Sequence, residues 1–313
     1  MKKGLVVSVG GSQGAYAGGI LEYKLRKGSS YDSLYGSSVG SVVIPFASLN
    51  NMIPLKEAFT SITMDDVFEL NPFNVTDINN GMFRYTLNYW NVFKTIFIKK
   101  KLSLGDTEPL RKNIIPKFFP EDEYLQILNL NKNLTVMVTN LTTGELEAKR
   151  FRDYSREEFM DWMWASTCAP PFMSVPEING QHYTDGGILS QVPIKQAILD
   201  GCDEIDIIIL SKENHDWPIE KIRNFFHYQI KLLLLMMNRI KDHQVDVGYL
   251  SSLANKKVIL NFHYTKRRLT NNSLIFDPNM MNKWWKEGYD DAEKHPPISY
   301  IINGKKDSFR KIN

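Results

Sequence analysis

The sequence predicts an α/β fold built on a mostly parallel sheet, and three observations predict it. Short apolar, β-branched runs at residues 5–9, 134–139 and 205–210 carry little polar alternation, as strands buried on both faces require. Helical patterns separate them, the alternation that builds parallel sheets. Glycine-rich turns at residues 10–14 and 36–40 each lie between a strand and a helix.

Residues 5–9 form the first strand, stopped by Gly10-Gly11, and Ala15 to Arg26 reads as a helix closed by Gly28. A short strand near Leu34-Tyr35 enters Gly36-Ser37-Ser38-Val39-Gly40, and residues 41–49 read as a small-residue helix. Asp216-Trp217-Pro218 reads as a helix start, with Asp216 as N-cap and proline in the first turn. That helix extends to about His243, with Ile222, Phe225, Phe226, Ile230, Leu233, Leu234 and Met237 on a face expected to be buried. A strand at residues 258–264 and a helix opened by Asp277-Pro278 finish the pattern. There is no internal repeat and no low-complexity linker, so one compact domain is expected. Residues 1–210 form its core, and residues 211–313 a helical extension packed on it. Residues 68–101 stand apart: they are rich in Asn and aromatics (Phe73, Phe83, Tyr85, Tyr89, Trp90, Phe93, Phe97) and end in Lys99-Lys100-Lys101. They read as an insertion over the sheet edge, a lid.

The 313 residues are 43% hydrophobic and 23% charged, with a formal net charge of +3. That balance argues against a nucleic-acid partner, which requires a basic excess on one face. Mean hydropathy is −0.29, and the longest apolar stretch, residues 232–237, is closed off by Lys231 and Asn238, so no transmembrane helix is expected. The N-terminal apolar run is too short for a signal sequence. Two cysteines, Cys168 and Cys202, provide neither a disulfide framework nor a cysteine metal site. The expectation is a cytoplasmic protein with no metal or cofactor, whose activity is indifferent to chelators.

Two stretches fit Gly-x-Ser-x-Gly: Gly10-Gly11-Ser12-Gln13-Gly14 and Gly36-Ser37-Ser38-Val39-Gly40. The motif works because a nucleophilic serine on a tight strand-to-helix turn needs small neighbours, and a helix N-terminus favours developing negative charge. Either match alone also reads as a plain turn. The first is dense in glycine (Gly10, Gly11, Gly14, Gly18, Gly19), which suits backbone N–H groups aimed at an anion. The second suits a nucleophile. Neither Gly-x-x-x-x-Gly-Lys-Ser/Thr nor Gly-x-Gly-x-x-Gly occurs, so a nucleotide site fits poorly. None of the six histidines sits in a hydrolase signature. Asp185-Gly186-Gly187 is a hairpin signal read alone, and gains weight beside the two loops.

Together the three motifs resemble the patatin-like phospholipases, in which a glycine-rich oxyanion loop, a Gly-x-Ser-x-Gly elbow and a distant Asp-Gly-Gly/Ala occur in that order. Softer likenesses lie at Asp106-Thr107-Glu108-Pro109-Leu110-Arg111, Val138-Thr139-Asn140-Leu141-Thr142-Thr143-Gly144, Ala165-Ser166-Thr167-Cys168-Ala169-Pro170-Pro171-Phe172 and Gln191-Val192-Pro193. The resemblance implies a three-layer α/β/α fold and a Ser–Asp dyad. Ser38 would be the nucleophile and Asp185 its base. Backbone N–H groups of Gly10, Gly11 and Ser12 would hold the oxyanion, Gly36 and Gly40 would form the elbow, and Gly14, Gly186 and Gly187 would support the motifs. Residues 1–210 would then be the catalytic core. The substrate would be a phospholipid or another acyl lipid, cleaved as by a phospholipase A or lysophospholipase. A general esterase or thioesterase and a catalytically weak lipid-binding protein are the alternatives. The family's usual Arg or Lys before the last loop glycine is Gln13 here, and its third loop glycine is Val9. Peripheral membrane contact would follow from a lipid substrate. Two segments are candidates for it: the Tyr89-Trp90-Phe93-Ile96-Phe97 set with its three lysines, and Trp284-Trp285 beside Lys283 and Lys286. Core packing is the other reading of each.

Overall fold

The computed structural model describes residues 1–79, 81–213, 221–222, 225–251, 258–302 and 309–312. The Asp216-Trp217-Pro218 helix start lies outside them. Strand β1 (Lys3–Val7) leads through the first glycine turn into helix α1 (Gly14–Arg26), and β2 (Ser33–Ser37) through the second into α2 (Val39–Ser48). Helices α3 (Ile53–Ser61) and α4 (Met64–Val67), the hairpin β3 (Phe73–Asn79) and β4 (Met82–Leu87), and α5 (Tyr89–Phe93) follow. α5 widens into a π turn over Lys94–Ile98. Next come α6 (Ile115–Phe118), α7 (Glu121–Asn129), β5 (Asn133–Asn140), β6 (Leu146–Arg150), α8 (Arg156–Thr167), β7 (Glu177–Ile178), β8 (Gln181–Asp185), α9 (Ile194–Leu199) and β9 (Glu204–Ile209). The C-terminal part supplies α10 (Phe225–Ser251), β10 (Val258–Tyr264), α11 (Pro278–Lys294), β11 (Ile298–Ile302) and β12 (Phe309–Ile312).

The strand order is β12-β11-β10-β9-β1-β2-β5-β8-β7, with β6 also paired to β5. The centre, from β10 to β5, is parallel, and the strands at both flanks are antiparallel. Alternate residues of the central strands feed two cores. Leu5, Val7, Leu34 and Val136 pack under α1, α2, α8 and α11, whereas Val6, Tyr35, Ile205 and Ile207 pack with Ile194 and Ala197 of α9 and Val245 of α10. Burial on both faces explains why these strands read as apolar runs without alternation. The molecule is thus a three-layer α/β/α sandwich.

The C-terminal extension differs from the helical addition expected of it. Three of its segments are strands that continue the sheet beyond β9, with Val258, Leu260 and Phe262 entering the second core. Without them the isoleucine-rich β9 would be an open edge. Within α11, Asp277 caps the helix by accepting from Met280 N–H, and Pro278 occupies the first turn. Trp284 and Trp285 are buried against α1, which removes them as an interfacial surface. The glycines of α1 explain the close approach. A Cβ on Gly18 would lie 2.1 Å from the Trp285 ring, and one on Gly19 would lie 2.0 Å from the Trp285 carbonyl. Gly18 and Gly19 therefore serve helix packing and not anion binding.

The β3–β4 hairpin forms its own two-stranded sheet. The Asn271 side chain pins it to the loop after β10, accepting from Phe83 N–H and donating to Phe83 carbonyl, both at 2.9 Å. Beyond it, Tyr89, Trp90, Phe93, Phe97 and Ile98 are exposed, with Trp90 stacked on Phe93. The following lysines do not all face outward with them. Lys99 pairs with Glu69, and Lys101 with Glu108 and Asp106, anchoring the end of the insertion to the body.

Candidate active site

The second glycine turn sets Ser38 in a sharp elbow between β2 and α2. Its φ of +54° is unusual for a residue with a side chain, and costs about 1–3 kcal/mol that surrounding contacts must offset. Those contacts are specific. Ser38 N–H donates to Ser166 Oγ at 3.0 Å, and the Ser38 carbonyl accepts from Ser41 N–H at 2.9 Å and from the Ser41 hydroxyl. The flanking glycines answer close approaches. A Cβ on Gly40 would lie 2.2 Å from the Val7 carbonyl, and one on Gly36 2.3 Å from the Gly40 backbone.

Asp185 ends β8 and is 2% exposed. Its backbone is fixed on two sides: the N–H donates to the Cys168 carbonyl at 3.1 Å and the carbonyl accepts from Thr139 Oγ1 at 2.9 Å. Its carboxylate accepts from Gly187 N–H at 2.6 Å, and it lines the same cavity as Ser38. Burial is the largest influence on this carboxyl and pushes its pKa up to about 7, against the lowering effect of the Ser38 side chain and the Gly187 N–H. Gly186 and Gly187 let the turn after Asp185 sit against Met137 and Val9, where a Cβ would meet the Met137 carbonyl at 2.1 Å and Val9 Cγ1 at 2.4 Å. The Asp-Gly pair is thus a strand-to-turn junction, while the neighbouring hairpin, β7–β8, turns at Asn179-Gly180.

The first glycine turn runs beside Ser38. Gly14 opens α1 against α2, where a Cβ would lie 2.4 Å from Val39 Cγ2. Among the described residues, the Gly10 and Gly11 N–H groups have no hydrogen-bond partner, and both residues line the same cavity as Ser38 and Asp185. Ser12 differs from its expected role. Its N–H donates to the Ser273 carbonyl at 2.8 Å, its hydroxyl does so at 3.0 Å, and the side chain is fully buried. A chain segment remote in sequence has occupied this donor. Gln13 lines the cavity in the place of a cation.

The cavity has a volume of about 1200 Å³, larger than most ligand pockets, which span roughly 300–1,000 Å³. Its inner wall is apolar, from Val42, Phe46, Leu55, Phe59, Ile62 and Ile115. None of the described histidines lines it. His263 lies buried beside Lys24, at 3.3 Å, and burial pushes its pKa down to about 3. Sequence reasoning did not assign roles to Ser166, Cys168 or Thr139, which hold Ser38 and Asp185 in place. Their signal was present in the softer stretches at residues 138–144 and 165–172.

Comparison with curated proteins gives no match. Among solved structures the chain is similar to VipD from Legionella pneumophila, at 15% identity and a TM-score of 0.48, over 96% of this chain and 68% of that one. No described helix is long and apolar enough to cross a membrane. The sequence pattern of the patatin-like phospholipases matches residues 5–198, most of the chain, including both glycine turns, Ser38 and Asp185. The chain belongs to the patatin-like phospholipase family, whose members are lipid acyl hydrolases.

Proposed function

We infer that the protein is a serine lipid acyl hydrolase of the phospholipase A or lysophospholipase type, working through Ser38 and Asp185. The observation that carries this reading is the juxtaposition of Ser38 and a fully buried Asp185 carboxyl in one largely apolar cavity, which the Gly10 and Gly11 N–H groups, without a partner among the described residues, also line. A carboxylate is ordinarily a poor base for a hydroxyl. Desolvation narrows the gap by raising its affinity for the proton.

In this reading Ser38 Oγ attacks the ester carbonyl carbon while its proton passes to Asp185. The carbonyl oxygen becomes an oxyanion, and the Gly10 and Gly11 N–H groups supply the donors for it. Ser12 N–H, already committed to Ser273, is left out of that set. Collapse breaks the bond to the leaving alkoxide, which takes the proton from Asp185, and leaves an acyl group on Ser38. Water then donates its proton to Asp185 as it attacks the acyl carbon, and the proton returns to Ser38 Oγ as the fatty acid leaves. The apolar wall from Val42 to Ile115 suits a long acyl chain, which favours a lipid over a short-chain ester. The exposed Trp90, Phe93 and Phe97 on the insertion suit contact with a lipid surface. Tyr85 and Tyr89 of the same segment line the cavity, which supports a lipid contact beside it.

Intact mass after treatment with a fluorophosphonate tests the assignment. A single adduct is expected on wild type and on Ser12→Ala, and none on Ser38→Ala. An adduct lost only in Ser12→Ala would exchange the roles of the two loops, and an unlabelled wild type would favour lipid binding without turnover.

A further inference from the structure

The cavity is electrostatically one-sided. Asp185 is the one carboxylate among the described residues that line it, against seven lysines and arginines. The apolar wall lies under α2, α3 and α6, whereas three of the cations come from C-terminal elements: Lys241 on α10, and Lys266 and Arg268 on the loop after β10.

This cationic wall begins where the Gly10-Gly11 turn ends. Leu210 packs against Gly10 so closely that a Cβ there would lie 2.5 Å from Leu210 Cδ1. The next residue, Ser211, accepts from Lys241 Nζ at 3.2 Å. The loop bearing Lys266 and Arg268 reaches the same turn through Ser273, whose carbonyl holds Ser12. Lys241 is 7% exposed, and the carboxylate paired with it, Asp242, lies 3.6 Å away on the solvent side of α10. Burial lowers the lysine's pKa, so a nearby anion would relieve a desolvated charge. Lys266 and Arg268 are exposed at the cavity wall, Arg268 donating from Nε to the Thr270 carbonyl at 3.1 Å.

We propose that Lys241, Lys266 and Arg268 form a subsite for the phosphate of a lipid headgroup, and that the excess positive charge of this wall disfavours the quaternary ammonium of a zwitterionic headgroup, giving the Ser38 chemistry a preference for anionic glycerophospholipids. This rests on the lipid hydrolase reading above. The site supplies from this wall the positive charge that Gln13 does not supply beside the oxyanion loop. Phosphate binds there while the acyl chain lies along the Val42–Phe59 side, which brings the ester between them to Ser38.

The test compares hydrolysis of phosphatidylglycerol and phosphatidylcholine with identical acyl chains, in micelles of a neutral detergent so that bulk surface charge does not contribute. Wild type is expected to favour phosphatidylglycerol by about tenfold in kcat/KM, equivalent to ~1.4 kcal/mol. The ratio should collapse towards one in Lys241→Gln and in the double variant Lys266→Gln/Arg268→Gln. A folding defect lowers both rates together and leaves the ratio unchanged, and the double variant, at exposed positions, carries the test where Lys241→Gln does not fold. Equal rates in wild type, or a ratio that neither variant moves, overturns the subsite and leaves the Ser38 reading intact. A wild type that cleaves neither lipid counts against the Ser38 reading. Tryptophan fluorescence titration with non-hydrolysable diether forms of the two lipids then decides the subsite, equal affinities overturning it. Competitive inhibition by millimolar inorganic phosphate without any headgroup preference would make this a free-anion site and also overturn the proposal.

Discussion

The Ser166 hydroxyl accepts a 3.0 Å hydrogen bond from Ser38 N–H and donates one of 2.7 Å to the Met137 carbonyl. A side chain on α8 thereby ties the elbow to β5 while the elbow holds a left-handed φ. Replacing it leaves two buried backbone groups unpaired, at about 1–3 kcal/mol each. Ser166→Ala is expected to lower the melting temperature and to reduce kcat on a soluble ester by roughly tenfold or more through loss of orientation, with KM nearly unchanged. An unaltered kcat at full folding would show that α2 alone holds the elbow.

Asp185 must be ionised to take the Ser38 proton. With its pKa pushed up to about 7 by burial, the rate should climb with pH through neutrality and level off above it. The pH dependence of kcat/KM on a neutral soluble ester measures this limb directly. A profile already flat from pH 5 would assign the proton to another group.

The same shift sets a stability signature of opposite sense. In the unfolded chain Asp185 ionises near its ordinary value, so between about pH 4 and 7 the folded protein binds the extra proton, and stability falls as pH rises across that window. The full shift corresponds to a ceiling of roughly 4 kcal/mol. Asp185→Asn keeps an acceptor for Gly187 N–H and removes the charge. It should abolish turnover yet raise the melting temperature at pH 8, with the gain vanishing towards pH 4. A melting temperature lowered equally at both pH values would contradict this account.

What was legible in the sequence follows from how locally each feature is encoded. The strand at residues 258–264 and the helix opened by Asp277-Pro278 were readable because periodicity and capping are local, and both occur as expected. The juxtaposition of Ser38 and Asp185 spans 147 residues and was reached through the order of motifs, not through any local pattern. Ser12 shows the limit. Nothing near it in sequence signals that Ser273 will take its N–H. Lys99 and Lys101 beside exposed aromatics read as membrane-facing until Glu69, Asp106 and Glu108 are seen to bind them. Trp284 and Trp285 carry lysines on both sides, and only the packing on α1 reveals them as core.

That packing makes Gly18 a sensitive position. Its Cβ would enter the Trp285 ring at 2.1 Å, and the ring is fixed by its neighbours and by an indole N–H donated to Glu22. Overpacking of this kind costs about 1–3 kcal/mol or more. Gly18→Ala should therefore lower the denaturation midpoint measurably, and Trp285→Ala, which empties the same contact, by the ~3–5 kcal/mol typical of a lost core aromatic. Both should leave fluorophosphonate labelling of Ser38 intact below the melting temperature. A Gly18→Ala midpoint equal to wild type would mean that α11 can shift along α1 without loss.

The exposed aromatics predict the reverse pattern. Trp90 is 61% and Phe97 66% exposed, so removing them costs little burial. Their apolar faces lie on a segment whose Tyr85 and Tyr89 line the cavity, and contact with a lipid surface would bury them. Trp90→Ala/Phe97→Ala should shift the melting temperature by no more than a degree or two, since surface changes typically stay within about 0.5 kcal/mol. Sedimentation with vesicles should show the double variant bound at least tenfold more weakly than wild type, since burial of each large apolar side chain contributes up to roughly 1.5–3 kcal/mol and about 1.4 kcal/mol is tenfold. Turnover of vesicle lipid should fall with binding, while turnover of a soluble ester stays at the wild-type rate. Because Lys99 and Lys101 are already paired within the protein, raising the salt concentration should weaken vesicle binding by this segment only modestly, as the apolar contact is not screened. Equal vesicle binding by wild type and the double variant would move the membrane contact elsewhere on the molecule.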